Sequence, residues 1–183
     1  MQNFTINTFN ILWNHLFIKF ILIQLKNKEN LKFHDFIIKC SIGKNGIKKR
    51  RVEGDKTTPK GIFSFLKIYY SKDRVQKPLS KLKTKIITKN MGWCNDPLHK
   101  KYNQEIVINN NILHEKLYRK DHKYDYLIVI DYNIKNTIPF KGSAIFLHLT
   151  NNYSSTEGCI AVKKNDFLVL SKFLNKNTKI KIN

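Results

Sequence analysis

The chain has 183 residues, enough for one domain with a conventional core, and its 42% apolar content excludes disorder as the default. The formal net charge of +21 draws such a chain towards polyanions, but the lysines are scattered among many Asn and Ile residues and form no single block. No RNA-binding signature or recognition helix accompanies them, so no specific nucleic-acid partner is expected.

Residues 1–17 read as a tail or added element ahead of a single domain over 18–183. Residues 9–23 are apolar but broken by Asn10, Asn14, His15 and Lys19, too short and too polar for a transmembrane span. Residues 1–8 lack the basic start of a secretory signal, and no small-residue cleavage site follows. Strands are expected at 20–25 and 31–40 around the turn Asn27–Asn30. The Gly- and Lys-rich stretch 41–63 suits a long loop, and 62–70 a strand. A weak strand at 84–89 precedes residues 92–106, which read as a loop because of Gly92, Asn95, Asp96 and Pro97. Residues 112–120 suggest a short helix. Residues 124–132 and 143–149 are strong strands, and 158–162 a short one. A helix is expected at 165–175, capped by Asn165 or Asp166, with Phe167, Leu170 and Leu174 on one face. Residues 178–182 form the last strand. The domain is mainly β with two minor helices.

Three cysteines, Cys40, Cys94 and Cys159, are an odd count without a C-x-x-C pair. That gives no support to a disulfide framework or a zinc ribbon and leaves at least one thiol free. Chemistry is concentrated in residues 145–162. A buried-type strand carries His148, a polar loop follows, and Thr156-Glu157-Gly158-Cys159 enters a second apolar strand. Adjacent strands joined this way can set His148 beside Cys159. A free thiol, with a pKa of about 8.5, needs such a base to become nucleophilic at neutral pH. Gly158 leaves the sulfur open to a carbonyl, and the N–H groups of Gly158 and Cys159 can face an oxyanion. The plainer alternative is a small buried Cys and a packed His. His15, His34, His99, His114 and His122 show no ligand spacing, so no metal is expected.

The segment resembles the active-site signature of the YkuD-type L,D-transpeptidases, a strand His followed by [Ser/Thr]-His-Gly-Cys. His148, Thr156, Gly158 and Cys159 match it. Residues 54–63, GDKTTPKGIF, resemble the family's G-D-x-x-T-P-x-G-x-F segment, and Cys40–Gly46, Gly92–Pro97, Tyr102-Asn103 and Gly142–His148 resemble segments of one branch in the same order. The resemblance covers residues 30–183. Two departures stand out: Glu157 replaces the His of better-known members, and the loop after His148 is shorter.

The resemblance implies a mixed β-sandwich of the L,D-transpeptidase type with one or two short helices. It implies acyl transfer between peptidoglycan stem peptides, donor and acceptor, through a thioester on Cys159 with His148 as base and acid. No cofactor is needed. The carbonyl of Leu149 is expected to orient the imidazole, with Thr156 and Gly158 around the oxyanion. Trp93, Asp96, Tyr102, Asn103 and Glu157 are candidates for the substrate groove, although a turn held by Asx hydrogen bonds or, for Glu157, a solvent-facing carboxylate fits equally. Lys48–Arg51 is a solvated basic loop or a grip for an anionic substrate. The implied location is the cell envelope or periplasm, with the cytoplasm open because no signal is evident; a monomer is expected. Two other readings remain: an L,D-carboxypeptidase or hydrolase at the same site, and a basic binding module without catalysis.

Overall fold

The computed structural model describes residues 22–183, so the expected tail at 1–17 lies outside the described residues. β1 (Leu22–Asn27) and β2 (Asn30–Phe33) form a hairpin about the expected turn. The strand expected over 31–40 is two strands. The chain reverses at His34-Asp35, where His34 takes a φ of 50°, and β3 (Phe36–Ser41) returns antiparallel to β2. Alternation explains the pairing, since Ile23, Leu25, Leu31, Phe33, Ile38 and Cys40 all face inward. The long loop that follows holds one small parallel pair, β4 (Ile47–Lys48) with β5 (Thr58–Pro59).

β6 (Gly61–Tyr70) is the long strand of the fold, and β7 (Lys83–Ile86) runs parallel to its end. The expected loop at 92–106 and helix at 112–120 are instead a small antiparallel sheet. It consists of β8 (Met91–Cys94), β9 (Glu105–Val107) and β10 (His114–Lys116), with β8 in the middle. Turn-forming residues do end β8 at Asn95. Before them, however, Trp93 and Cys94 are buried, and the Trp93 ring packs edge-on against Phe146 at 5.1 Å. Burial of that aromatic face draws the segment into a strand. The helix fails because Leu117 is buried while Leu113, one helical turn away, is 68% exposed.

β11 (Tyr126–Ile130), β12 (Phe146–Leu149) and β13 (Ile160–Val162) follow, then α1 (Lys164–Phe173) and β14 (Lys179–Ile182). Phe167 and Leu170 on α1, and Leu174 at its end, are buried as expected. The expected cap is not. Lys163 holds the N-cap position without a side-chain bond, and Asp166 sits inside the first turn, where its charge suits the helix dipole.

The main sheet has the order β11-β12-β13-β3-β2-β1-β14-β6-β7, and β6 also pairs with β11. The sheet therefore folds over into two layers joined by β3 and β6, a mainly β architecture. Ile128, Ile130, Leu147, Leu149, Ile160 and Val162 from one layer meet Ile23, Leu25, Phe33, Ile180 and Ile182 from the other in the principal core. The alternate residues of β11 and β12, Leu127, Val129 and Phe146, point the opposite way. They build a second core with Trp93, Leu117 and Tyr124 beneath the small sheet.

Candidate active site

The period of two along β12 decides where the chemistry lies. Leu147 and Leu149 enter the principal core, so Phe146 and His148 face the small sheet. β13 runs parallel to β12 with Leu147 opposite Ile160 and His148 opposite Ala161. Cys159, two residues before Ala161, therefore shares the face of His148 and lies level with Phe146. The Phe146 N–H donates to Cys159 Sγ at 3.3 Å. Both residues line one cavity of about 530 Å³, bounded by the small sheet and by the loops at 51–54 and 154–157.

Within that cavity, His148 Nδ1 is 2.9 Å from its neighbour's carbonyl, Leu149 O. A carbonyl only accepts, so Nδ1 carries the proton and Nε2 keeps the lone pair. Tyr124 packs edge-on against the imidazole at 5.1 Å. Burial pushes His148 down to about 4, outweighing the Leu149 bond, which favours the charged form. Burial pushes the Cys159 thiol up to about 12, with the Glu115 carboxylate adding to it. Its Sγ–H donates to Ala144 O at 3.2 Å. Both shifts favour a neutral thiol and a neutral imidazole.

Residues 20–182, nearly the whole chain, match the family model of the L,D-transpeptidase catalytic domain, YkuD. The chain belongs to the L,D-transpeptidase family. No curated protein sequence matches it. Among solved structures, Bd1075 of Bdellovibrio bacteriovorus is 14% identical, with 90% of this chain and 48% of that one covered and a TM-score of 0.46. An L,D-transpeptidase from Mycobacterium smegmatis is 10% identical, with coverage of 90% and 58% and a TM-score of 0.42. The helical cell shape determining protein Pgp2 from Campylobacter jejuni is 14% identical, with coverage of 89% and 46% and a TM-score of 0.46. The chain thus spans about half the length of these solved proteins.

Three of the segments that carry the family resemblance meet at Thr58. Thr58, fully buried, donates from Oγ1 to Gly158 O at 2.9 Å and accepts the Gly43 N–H at 2.9 Å. The approach needs glycine. A Cβ on Gly158, whose φ is +137°, would lie 2.9 Å from Thr57 O, and one on Gly43 would lie 2.5 Å from Lys56 O. Thr156 Oγ1 donates to Cys159 O at 2.6 Å and accepts the Gly158 N–H at 3.2 Å, which folds the turn that presents the cysteine. The Gly158 N–H is thus engaged with Thr156 in this structure. Glu157 is at the cavity mouth, its side chain 76% exposed and 3.0 Å from Lys56 Nζ.

Trp93, Asp96, Tyr102 and Asn103 do not line the cavity of this L,D-transpeptidase domain. Their groups are consumed elsewhere. Asn103 Oδ1 accepts Trp93 Nε1 at 2.9 Å and the Ala144 N–H at 3.0 Å, while its Nδ2 donates to Tyr132 O and Asn133 O. Tyr102 donates to Glu53 and accepts the Gly142 N–H. Asp96 accepts the Leu98 N–H at 3.0 Å, the Asx turn that was the alternative to a groove.

The sequence did not single out Glu115 and Tyr124, which stand beside the Cys–His pair. Tyr124 Oη donates to Glu115 Oε1 at 2.5 Å, and burial raises the pKa of both groups. The signal of Glu115 was hidden by the helix expected over 112–120, and Tyr124 was read only as the first residue of the strand at 124–132. Arg51 was read within a basic run. It is the one member of Lys48–Arg51 that is buried, and it forms part of the cavity wall. All three cysteines are free and buried. Among the described residues, no group of His, Cys, Asp and Glu is arranged to hold a metal ion.

Proposed function

We propose that this chain is a cysteine acyltransferase, an L,D-transpeptidase acting on peptidoglycan stem peptides through a thioester on Cys159, with His148 as general base and acid. The catalytic unit in this reading is residues 18–183. One observation carries it: the Nδ1 contact to Leu149 O leaves Nε2 of His148 as the proton acceptor on the strand face that also holds Cys159.

The donor's carbonyl carbon is attacked by Cys159 Sγ as the thiol proton passes to His148 Nε2. A C–S bond forms, and negative charge moves to the carbonyl oxygen. The tetrahedral intermediate collapses with cleavage of the C–N bond, and His148 returns the proton to the leaving amine of the terminal D-residue. In the second half, an acceptor amine attacks the thioester and loses its proton to His148. The C–S bond breaks, and the sulfur takes the proton back. The Phe146 N–H at 3.3 Å from Sγ supports the thiolate in both halves. Because the neutral pair is favoured at rest, donor binding must bring about the proton transfer.

The substrate sets the location, which is the cell envelope. Among the described residues, no helix is long and apolar enough to cross a membrane. The test is incubation with a stem tetrapeptide ending in a D-residue and an excess of a labelled D-amino acid. The reading predicts label in the tetrapeptide, lost in Cys159→Ala. Exchange by Cys159→Ala at the wild-type rate sinks it, and release of the terminal residue without exchange replaces the amine acceptor by water.

A further inference from the structure

The two layers of the main sheet differ on their outer sides. One carries the small sheet and the cavity of Cys159 and His148. The other layer is formed by β3, β2, β1, β14 and the start of β6. Its inward residues, Ile23, Leu31, Ile38 and Ile180 among them, fill the principal core, so the residues between them stand on the far side of the sandwich from the cavity. Strand register decides which of those meet. Ile37, Lys32, Gln24, Lys181 and Ile62 lie opposite one another in one row across five strands. Leu22, Lys179 and Ser64 form the next row.

This face combines two features that rarely share a solvated surface. Its aliphatic side chains are left in water: Ile37 is 73% exposed, Ile62 62% and Leu22 45%. Between them stand Lys32, Lys179 and Lys181. Among the described residues none of these three lysines is in an ion pair. The five strands contain no Asp or Glu, whereas the cavity on the opposite side has Glu53, Glu115 and Glu157 in its wall. Strand pairing thus gathers lysines that are scattered in the sequence into a strip without counter-charge.

A hydrophilic polyanion would use the lysines and leave the aliphatics in water. A lipid surface uses both, since ammonium groups meet anionic head groups while aliphatic side chains enter the acyl boundary. The sequence leading into this face is of the same kind. Residues 9–21, directly ahead of Leu22, include Trp13, Phe17, Lys19 and Phe20 and no acidic residue. We propose that the outer face of β3, β2, β1, β14 and β6 docks on an anionic lipid bilayer. Docked this way, the chain holds the cavity of Cys159 and His148 on the side away from the membrane.

The test is co-sedimentation of the full chain with vesicles of phosphatidylcholine, alone or mixed with phosphatidylglycerol, at about 0.15 M salt, where exposed charges are screened beyond about 8 Å. Wild type is expected to sediment with the anionic vesicles and not with the neutral ones. Lys32→Gln with Lys181→Gln should weaken binding about 25-fold, about fivefold for each lysine at such a surface. Lys100→Gln with Lys101→Gln removes the same charge from exposed residues on the side of the small sheet and should weaken it less than about threefold. Ile37→Ser with Ile62→Ser keeps every charge and should weaken it about tenfold. Thermal midpoints close to that of wild type separate lost docking from lost fold. Absence of binding to the anionic vesicles overturns the proposal, and so do equal losses in the two lysine pairs, which would mean net charge alone. Binding that survives all three variants overturns it in favour of residues 1–21. Equal affinity for soluble polyphosphate, with no effect of the isoleucine pair, overturns it in favour of a hydrophilic polyanion. Self-association of the free chain, lost in the isoleucine pair, overturns it in favour of a second copy.

Discussion

Asn103 holds Ala144 from behind the nucleophile: its Oδ1 accepts the Ala144 N–H at 3.0 Å, and the carbonyl of Ala144 accepts the Cys159 thiol at 3.2 Å. Asn103 spends its whole hydrogen-bonding capacity inside the protein, on Trp93, Ala144, Tyr132 and Asn133, and takes a φ of 59° that Asn tolerates. Asn103→Ala strands several buried groups at once. It should lower the unfolding free energy by about 3 kcal/mol, read by chemical denaturation. Acylation of Cys159 should fall in the protein that remains folded. A loss below about 0.5 kcal/mol would contradict this placement.

His148 ties stability to pH. It is held at about 4 in the folded chain against 6.5 unfolded, so between these values the unfolded chain binds the extra proton. Stability from this group is complete above about 6.5 and is lost as pH falls towards about 4, by about 3 kcal/mol. Glu115 acts in the opposite sense, because burial raises its carboxyl and the folded chain keeps that proton to higher pH. The comparison that isolates the imidazole is wild type against His148→Asn. Denaturation midpoints across this window should converge as the pH is lowered, and parallel curves would contradict a buried neutral imidazole.

The resting thiol should be quiet. With Cys159 moved from 9.0 to about 12, its thiolate population at neutral pH is about a thousandfold below that of an ordinary thiol. Iodoacetamide mapped by peptide mass spectrometry should therefore label Cys159 far more slowly in the folded, substrate-free chain than in the denatured chain. Alkylation at the rate of a free peptide thiol would mean a standing thiolate–imidazolium pair.

Glu157 should be dispensable for stability. Its carboxylate faces solvent and meets Lys56 in an exposed pair, a class worth less than about 1 kcal/mol. Glu157→Gln should leave the thermal midpoint almost unchanged and alter acylation by less than about threefold. A large loss of acylation would assign this position a role at the nucleophile.

The long apolar strands were legible from β-branched and aromatic runs, and the strand–loop–strand path from His148 to Cys159 was legible with them. Its parallel register then follows, because Leu147, Leu149, Ile160 and Val162 must share one core. The cover of the site was not legible. Met91–Cys94 and His114–Lys116 are too short to show a period, and they become strands only by packing Trp93 on Phe146 and pairing Glu115 with Trp93. Arg51 was hidden for a related reason. Lys48, Lys49 and Arg50 are exposed and Arg51 is buried, a difference set by Asp55 and Thr57 folding back on it. A run of like charges cannot reveal which member turns inward.

The measurement that bears most directly on the central claim is intact mass after rapid acid quench of the chain mixed with a stem tetrapeptide, for wild type, Cys159→Ala and His148→Ala. The account predicts a tripeptide-acyl adduct on wild type, mapped to Cys159, absent from Cys159→Ala and slower to appear in His148→Ala. An adduct that survives in Cys159→Ala, or one that forms in His148→Ala at the wild-type rate, would contradict it.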